Sequence, residues 1–532
     1  MKPSAHRLLI GIFASFLAMA IFSAVPAFAA TITVTSLADS GPGSLRNSIA
    51  SAAPGDTINF GVTGTITLTS GELLIAKNLT ISGPGASNLV VIDGGSNSRV
   101  FEIGIATTVV ISGLTVQNGY VGDFGGGMLN NGVLTLSNST LTVNNAFLAG
   151  GGIYNATGAT LAVGNSTISN TPLNSFNAGN LAGAGDGIYN ATGGTVTVTD
   201  STIAGNGGLK VAQPACKAGS ICQLGGGGIY NAGTLTVTNS TLSRNFGFSD
   251  GGGIYNDSGA TLSLTNSTLY ANGISGLAGC KAPCLNIPGG IANYGSATLK
   301  ASILASNSGA NCSTVTAVTG TVTSQGYNLS DDASCSGFIS TDLNNAIAGA
   351  GLDPNGLQPN GGPTWTIALV PPSPAIDAIP DSACSVGTDQ RGFLRPAPAG
   401  GACDIGAFEL GANPPPPYAA QVQQPINPDG SSVFKAKRGV VPVKFTITQG
   451  GIATCQLPPA TISLKSAGGM GSTLIDESTY LLASDSGSNF RIDTSACQYV
   501  YNLATSSLGT GTYVVSISIA GSAVGSGTFG LQ

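Results

Sequence analysis

Charge is scarce in this chain. Of 532 residues, 18 are Lys or Arg and 24 are Asp or Glu, 8% in all, where ~25% is usual. So little charge excludes a long helix or coiled coil, which draws on Glu, Lys and Arg. A highly charged disordered chain is excluded too, because 42% of the residues are apolar and mean hydropathy is positive. Nucleic acid is not an expected partner: phosphate binding takes clustered Lys and Arg, and the net charge here is −6.

Histidine is scarcer still, with His6 the single copy. It stands in a stretch, 1–30, that reads as a secretory signal peptide. Lys2, His6 and Arg7 give a basic start, residues 8–22 an apolar core, and Ala27-Phe28-Ala29 a small-residue cleavage site. Cleavage removes His6 and also Lys2 and Arg7, which takes the net charge from −6 to −8. A mature chain without His has no Ser-His or Cys-His nucleophile pair and no His-ligated zinc. Catalysis, if any, falls to carboxylates, Arg, Lys or Tyr. No cofactor or metal site is expected. No later stretch approaches the ~18 uncharged apolar residues of a membrane helix, so the mature chain is expected to lack a transmembrane segment.

Glycine is abundant, with 79 copies, and much of it recurs in a repeat. GGGMLN at 125–130 is followed by GGGIYN at 150–155, GDGIYN at 185–190, GGGIYN at 226–231 and 251–256, and GGIAN at 289–293. A second block follows each, as in TLTVTNSTL at 234–242. Its apolar column runs Leu141, Ile168, Ile203, Leu242, Leu269 and Leu304, and three residues later stand Asn144, Asn206, Asn245, Asn272 and Asn307. Within the blocks apolar and small polar residues alternate, the period of a strand. Short strands joined by Gly and Asn turns, one coil per repeat, predict a parallel β-helix. Ile153, Ile188, Ile229 and Ile254 should then superpose along the bore, and the Asn columns should form ladders. Runs such as Thr65-Ile66-Thr67-Leu68 and Val109-Val110-Ile111 suggest further coils upstream. Residues 44–50 read as a short amphipathic helix with Ser44 as N-cap, plugging the open end.

The stretch 44–60 resembles the opening of secreted pectate-lyase-like β-helix proteins. The GGGIYN and NST(L/I)xxN blocks resemble the repeats of bacterial surface β-helices, including the polymorphic outer-membrane proteins. That resemblance implies a right-handed parallel β-helix displayed outside the cell, often adhesive. Residues 326–410 resemble the choice-of-anchor Q segment, through GYNL at 326–329, NGGPT at 360–364, SPAID at 373–377, TDQRG at 388–392 and CDIGAFE at 403–409. After a stiff proline linker, VPVKF at 441–445, DSGSNFR at 485–491 and the Tyr499 region resemble the PxKF domain. Strand-like alternation there predicts a β-sandwich.

The chain is therefore expected to be all-β: a parallel β-helix solenoid followed by a small C-terminal β-sandwich. The expected divisions are 1–30 signal peptide, 31–310 β-helix, 311–411 terminal coils with the anchor-Q-like segment, 412–418 linker and 419–532 PxKF-like sandwich. The ten cysteines form five sequence-local pairs, Cys216/Cys222, Cys280/Cys284, Cys312/Cys335, Cys384/Cys403 and Cys455/Cys497. An even count behind a signal peptide predicts five disulfides in an oxidising compartment.

Candidate carboxylates are Asp93, Asp123, Asp186, Asp200, Asp250 and Asp257, mostly single and in different repeat positions, plus the adjacent Asp331-Asp332. Asp200 replaces the Asn of the NST block and reads as a turn residue. Glycoside hydrolysis uses two carboxylates at a defined separation, and uronate lyases add a cation or Arg. No Arg is expected among carboxylates, since Arg244 stands in an ordinary repeat. No catalytic residue is assigned on this basis. The recurring Tyr154, Tyr189, Tyr230 and Tyr255 either stack on sugars or pack between coils. The N-S-T triplets at Asn138, Asn165, Asn239 and Asn266 match glycosylation acceptors, but their fixed place in the repeat points to a structural role. The expected function is that of a secreted or cell-surface bacterial protein, adhesive or structural and without turnover, with glycans or surface or matrix proteins as partners. The alternative is a carbohydrate-active enzyme of pectate-lyase-like fold.

Overall fold

The computed structural model describes residues 29–532 apart from 86–88, 170–183, 208–224, 248–249, 275–287, 313–319, 347–348, 415–417, 436–438, 450–451, 455–459, 468–472, 475–483, 486–487, 507 and 520–521. The expected signal peptide, up to residue 28, and linker residues 415–417 lie outside the described residues.

Alternation in the TLTVT-type strands decides which side is buried. In Thr234–Thr238, Leu235 and Val237 turn inward and are buried, while the threonines turn outward. Each coil contributes one strand to each of three parallel sheets, of 11, 10 and 9 strands, so the solenoid is a three-faced prism. Neighbouring coils pair residue on residue. Ile153, Ile188, Ile229 and Ile254 share one register column and are fully buried, as the repeat predicted. Each such side chain contributes about 1.5–3 kcal/mol by leaving water, and together they form one continuous bore from Val34 to Cys335.

The corners explain the Asn and Gly columns. Asn138, Asn165, Asp200, Asn239 and Asn266 turn the chain from the 11-stranded to the 10-stranded sheet with φ between 45° and 51°, a conformation Asn and Asp tolerate best after Gly. Asp200 is therefore a turn residue, as its place in the column indicated. At the next corner Gly150 has φ 67°, and a Cβ there would meet Ile153 O at 2.6 Å. Two buried amide ladders run up the prism. One links Asn130, Asn155, Asn190, Asn231, Asn256 and Asn293 through Nδ2–H···Oδ1 bonds of 2.7–2.9 Å. The other runs from Asn206 through Asn245 and Asn272 to Asn307 at 2.9–3.0 Å. Each rung is worth about 1 kcal/mol net, and an orphaned buried amide would cost more.

Both ends are closed. Helix Leu45–Ser51 starts at Ser44, whose Oγ accepts from the Asn47 amide, and it buries Leu45 and Ile49 in the bore. At the far end the Asn307 ladder passes to Asn311, which donates to Asp331 at 2.7 Å, while Asp332 accepts the Asn311 amide at 2.9 Å. The Asp331-Asp332 pair thus terminates a ladder. The Cys312–Cys335 disulfide fastens this last coil.

From there the chain folds back along the outside of the 10-stranded sheet. Gln390 donates to Thr202 Oγ1 at 2.9 Å and accepts from Thr241 Oγ1 at 2.6 Å, and Thr202 also donates to Trp365 O at 2.6 Å. Ile303, Ala305 and Leu329 of the solenoid share an apolar cluster with Leu369, Ile379, Ile405 and Phe408. The Cys384–Cys403 disulfide lies in this cover. Cys497 is also disulfide-bonded. Cys216, Cys222, Cys280, Cys284 and Cys455 lie outside the described residues.

The C-terminal region forms a β-sandwich of two five-stranded, mainly antiparallel sheets. Its core includes Phe434, Val443, Phe445, Tyr499, Val515 and Phe529. Among the described residues no helix is long and apolar enough to cross a membrane.

Candidate aromatic and acidic face

The outward positions of the 9-stranded sheet stack in one column: Leu74, Glu102, Leu129, Tyr154, Tyr189, Tyr230, Tyr255 and Ala292. Because side chains alternate across a strand, the inward Ile153 dictates an outward Tyr154. The rings lie above one another. Tyr154, Tyr189, Tyr230 and Tyr255 are stacked at centroid spacings of 4.7–5.1 Å with interplanar angles of 3–9°. Phe124 extends the ladder at one end at 4.5 Å, and Tyr294 at the other at 5.1 Å. Of the two sequence alternatives for these tyrosines the rings take the packing one: they leave the bore and stack coil on coil. Ring faces within the ladder are occupied by other rings, and Tyr230 and Tyr255 are buried, so of the tyrosines only Tyr154, Tyr189 and Tyr294 keep partly exposed edges.

Acidic residues border the ladder. Tyr230 donates to Asp257 at 2.8 Å, and Tyr294 to Asp250 at 2.6 Å. Burial, then the neighbouring carboxylates, drives the Tyr230, Tyr255 and Tyr294 phenols far above their ordinary range. Tyr189 is pushed up to about 12, chiefly by burial. All these phenols are neutral hydrogen-bonding groups at physiological pH. Asp186, in a Gly position of the repeat, is itself buried.

The ladder begins at an ionic cluster that overturns one sequence expectation. Arg99, with only 6% of its side chain exposed, pairs with Glu72, with Glu102 at 3.6 Å and with Asp123 at 2.8 Å. Its Nη2 also donates to Phe124 O at 2.9 Å, at the first ring of the ladder. An Arg among carboxylates is present after all. Glu102 is raised above the usual carboxylate range by burial and then by Glu72 beside it, and it accepts from Asn131 at 3.2 Å. The sequence signal was there in spacing: Arg99 reaches Glu72 and Asp123 across 27 and 24 residues, one coil each way. These residues precede the visible Gly-rich repeat, so no block placed them in register. Among the described residues no three His, Cys, Asp or Glu side chains converge as a metal cage.

The remaining acidic candidates serve structure. Asp93 accepts from Gln117 and Asn118, both at 2.8 Å, bracing two coils. Asp200 lies under the folded-back cover and is pushed up to about 6, by burial and then by Asp389. Within the cover, buried Arg391 pairs with Asp389 at 2.7 Å between the rings of Phe393 and Phe408. Buried Arg395 faces Glu409 at 3.4 Å. The TDQRG and CDIGAFE motifs thus hold the cover together. Two of the N-S-T asparagines, Asn239 and Asn266, are buried, and Asn239 donates to Thr388 O at 2.7 Å. No family model, no curated protein and no solved structure matches the chain.

Proposed function

We propose that this is an extracellular or cell-surface bacterial protein that binds glycans or matrix proteins along the aromatic face without turning them over. One observation carries the reading: a six-ring ladder lies on an otherwise acidic face. Among the described residues, Glu72, Glu102, Asp123, Asp186, Asp250 and Asp257 stand there against Arg99. Such a surface repels polyanions and suits neutral or cationic polymers, which meet phenol hydroxyls, ring edges and carboxylates together. Export is supported by the leader-like start and by disulfides, which persist in oxidising compartments. The resemblance of the repeats to polymorphic outer-membrane proteins, and of 326–410 to the anchor-Q segment, supports display at a surface. The PxKF-like sandwich fits an accessory module.

Screening the mature protein against neutral, amino and acidic glycans and against matrix proteins tests this reading. Binding to neutral or amino polymers, lost in Tyr154→Ala and weakened by salt, is expected. Preference for polyanions would defeat it. The Glu72–Arg99–Glu102 convergence favours a second reading, a carbohydrate-active enzyme with Glu102 as proton donor. Release of reducing or unsaturated ends that disappears in Glu102→Gln would establish that alternative.

A further inference from the structure

The 11-stranded face differs from its two neighbours. Its outward positions in consecutive coils are Thr195, Thr197 and Thr199; Thr234, Thr236 and Thr238; and Thr261, Ser263 and Thr265. The next coils add Ser296 and Thr298, then Thr321 and Thr323. Every one of these positions bears a hydroxyl, and Lys300 is the only charge among the outward strand positions from 195 to 323. The pairing runs residue on residue through all five coils without a register shift. Outer-row residues Thr195, Thr234, Thr261, Ser296 and Thr321 are exposed, and the inner rows are mostly half-exposed. The inward Val196, Val198, Leu235, Val237, Leu262 and Leu264 are buried in the bore and hold the sheet in place.

We propose that this face binds ice. Hydroxyls repeat at about 4.8 Å across strands and about 6.6 Å along them, each with a methyl beside it except at Ser263 and Ser296. Both repeats are close to those of the oxygen lattice on a prism face of ordinary ice. Threonine is stiff at χ1, so the hydroxyl and the methyl are fixed before contact and little entropy is lost on binding. Coils even touch through their hydroxyls, with Thr261 Oγ1 and Thr234 Oγ1 3.3 Å apart. Among the described residues, the outward strand positions from 195 to 323 hold no ring to stack on a sugar and no carboxylate to pair with a cation. A single soluble ligand finds little there. A partner that itself repeats in two dimensions and is uncharged sums many weak contacts, and ordered water is such a partner. Solubility alone would be served by Lys and Glu on this outward face, as in most surfaces. The threonine rows lie on a different sheet from the aromatic ladder.

The test measures ice recrystallisation and thermal hysteresis with the purified mature chain. The wild type should restrain crystal growth at micromolar concentration. Thr236→Lys, at the centre of the array, should need about tenfold more protein for the same restraint. Thr197→Tyr in the adjacent coil is a second disruption should the first fail to fold. Thr140→Lys on the 10-stranded face should act like the wild type. A wild type no better than an equally acidic albumin would overturn the proposal. So would array variants that match the wild type, or adsorption to crystalline cellulose or chitin with no effect on ice.

Discussion

The two halves of the 10-stranded face carry the same repeat and have different fates. In the upstream coils Thr115, Gln117, Thr140 and Thr167 are half-exposed, whereas Thr142 and Ser169 are already buried. Downstream, the positions that match Thr115, Thr140 and Thr167, namely Thr202, Thr241, Thr268 and Ile303, are buried. The difference is the folded-back segment, whose Gln390 and Thr364 bond to the solenoid while Leu369 and Phe408 pack on it. Composition follows the cover only late: threonine persists where Gln390 can satisfy it, and Ile303 replaces it where the cover is apolar. Exposure at a repeat position is thus a property of what lies outside the coil.

The comparison can be broken at four strengths. The largest effect is expected where the halves do not differ, in the bore. Ile168→Ala and Ile203→Ala should each cost about 2–5 kcal/mol, by similar amounts, in denaturant unfolding followed by circular dichroism. A much smaller loss at Ile203 would mean that the cover, rather than the bore, holds the downstream coils.

Gln390→Ala should come next. It leaves the buried Thr202 and Thr241 hydroxyls without their Gln390 contacts, a loss of about 1–3 kcal/mol. Amide exchange of residues 385–391 should accelerate while the upstream coils stay protected.

Acidity separates the halves a third way. Asp200 is pushed up to about 6 by burial, above the ~3.9 of an unfolded Asp. Its ionised form opposes the docked state, so the penalty is full above pH ~6 and vanishes below pH ~4. Docking should therefore tighten as pH falls from 7 to 4, and buried Glu409, raised to about 7 by burial, acts in the same direction. Asp200→Asn should stabilise the cover at pH 7 by about 1–2 kcal/mol, allowing for partial solvent screening. It should also flatten the Asp200 share of the pH dependence measured by exchange.

The smallest effect is expected on the open half. Thr140→Ala should change stability by no more than ~0.5 kcal/mol, while Thr241→Ala, under the cover, should cost visibly more. Equal values for the two would remove the distinction between the halves.

The repeat was legible because each of its parts has a local cause. Ile153 and Tyr154 take opposite sides through strand alternation. Asn165 and Asp200 share a turn that favours their backbone conformation, and Asn231 finds Asn256 because the next coil brings the same residue to the same place. The cluster around Arg99 was not legible, since the early coils lack the Gly-rich block that sets the register. The Tyr columns were visible, but the joining of Phe124 and Tyr294 to one ladder was not, because both stand outside the IYN motif.

Sequence alone thus determined the β-helix, its bore, its ladders and the outward threonine rows: period-two alternation and repetition along one axis decide them coil by coil. Only the tertiary structure decided which faces stay open. The contacts that close the 10-stranded face span separations of 149, 163 and 188 residues. No periodicity reports them, because a segment that folds back obeys the surface it meets and not the repeat it left.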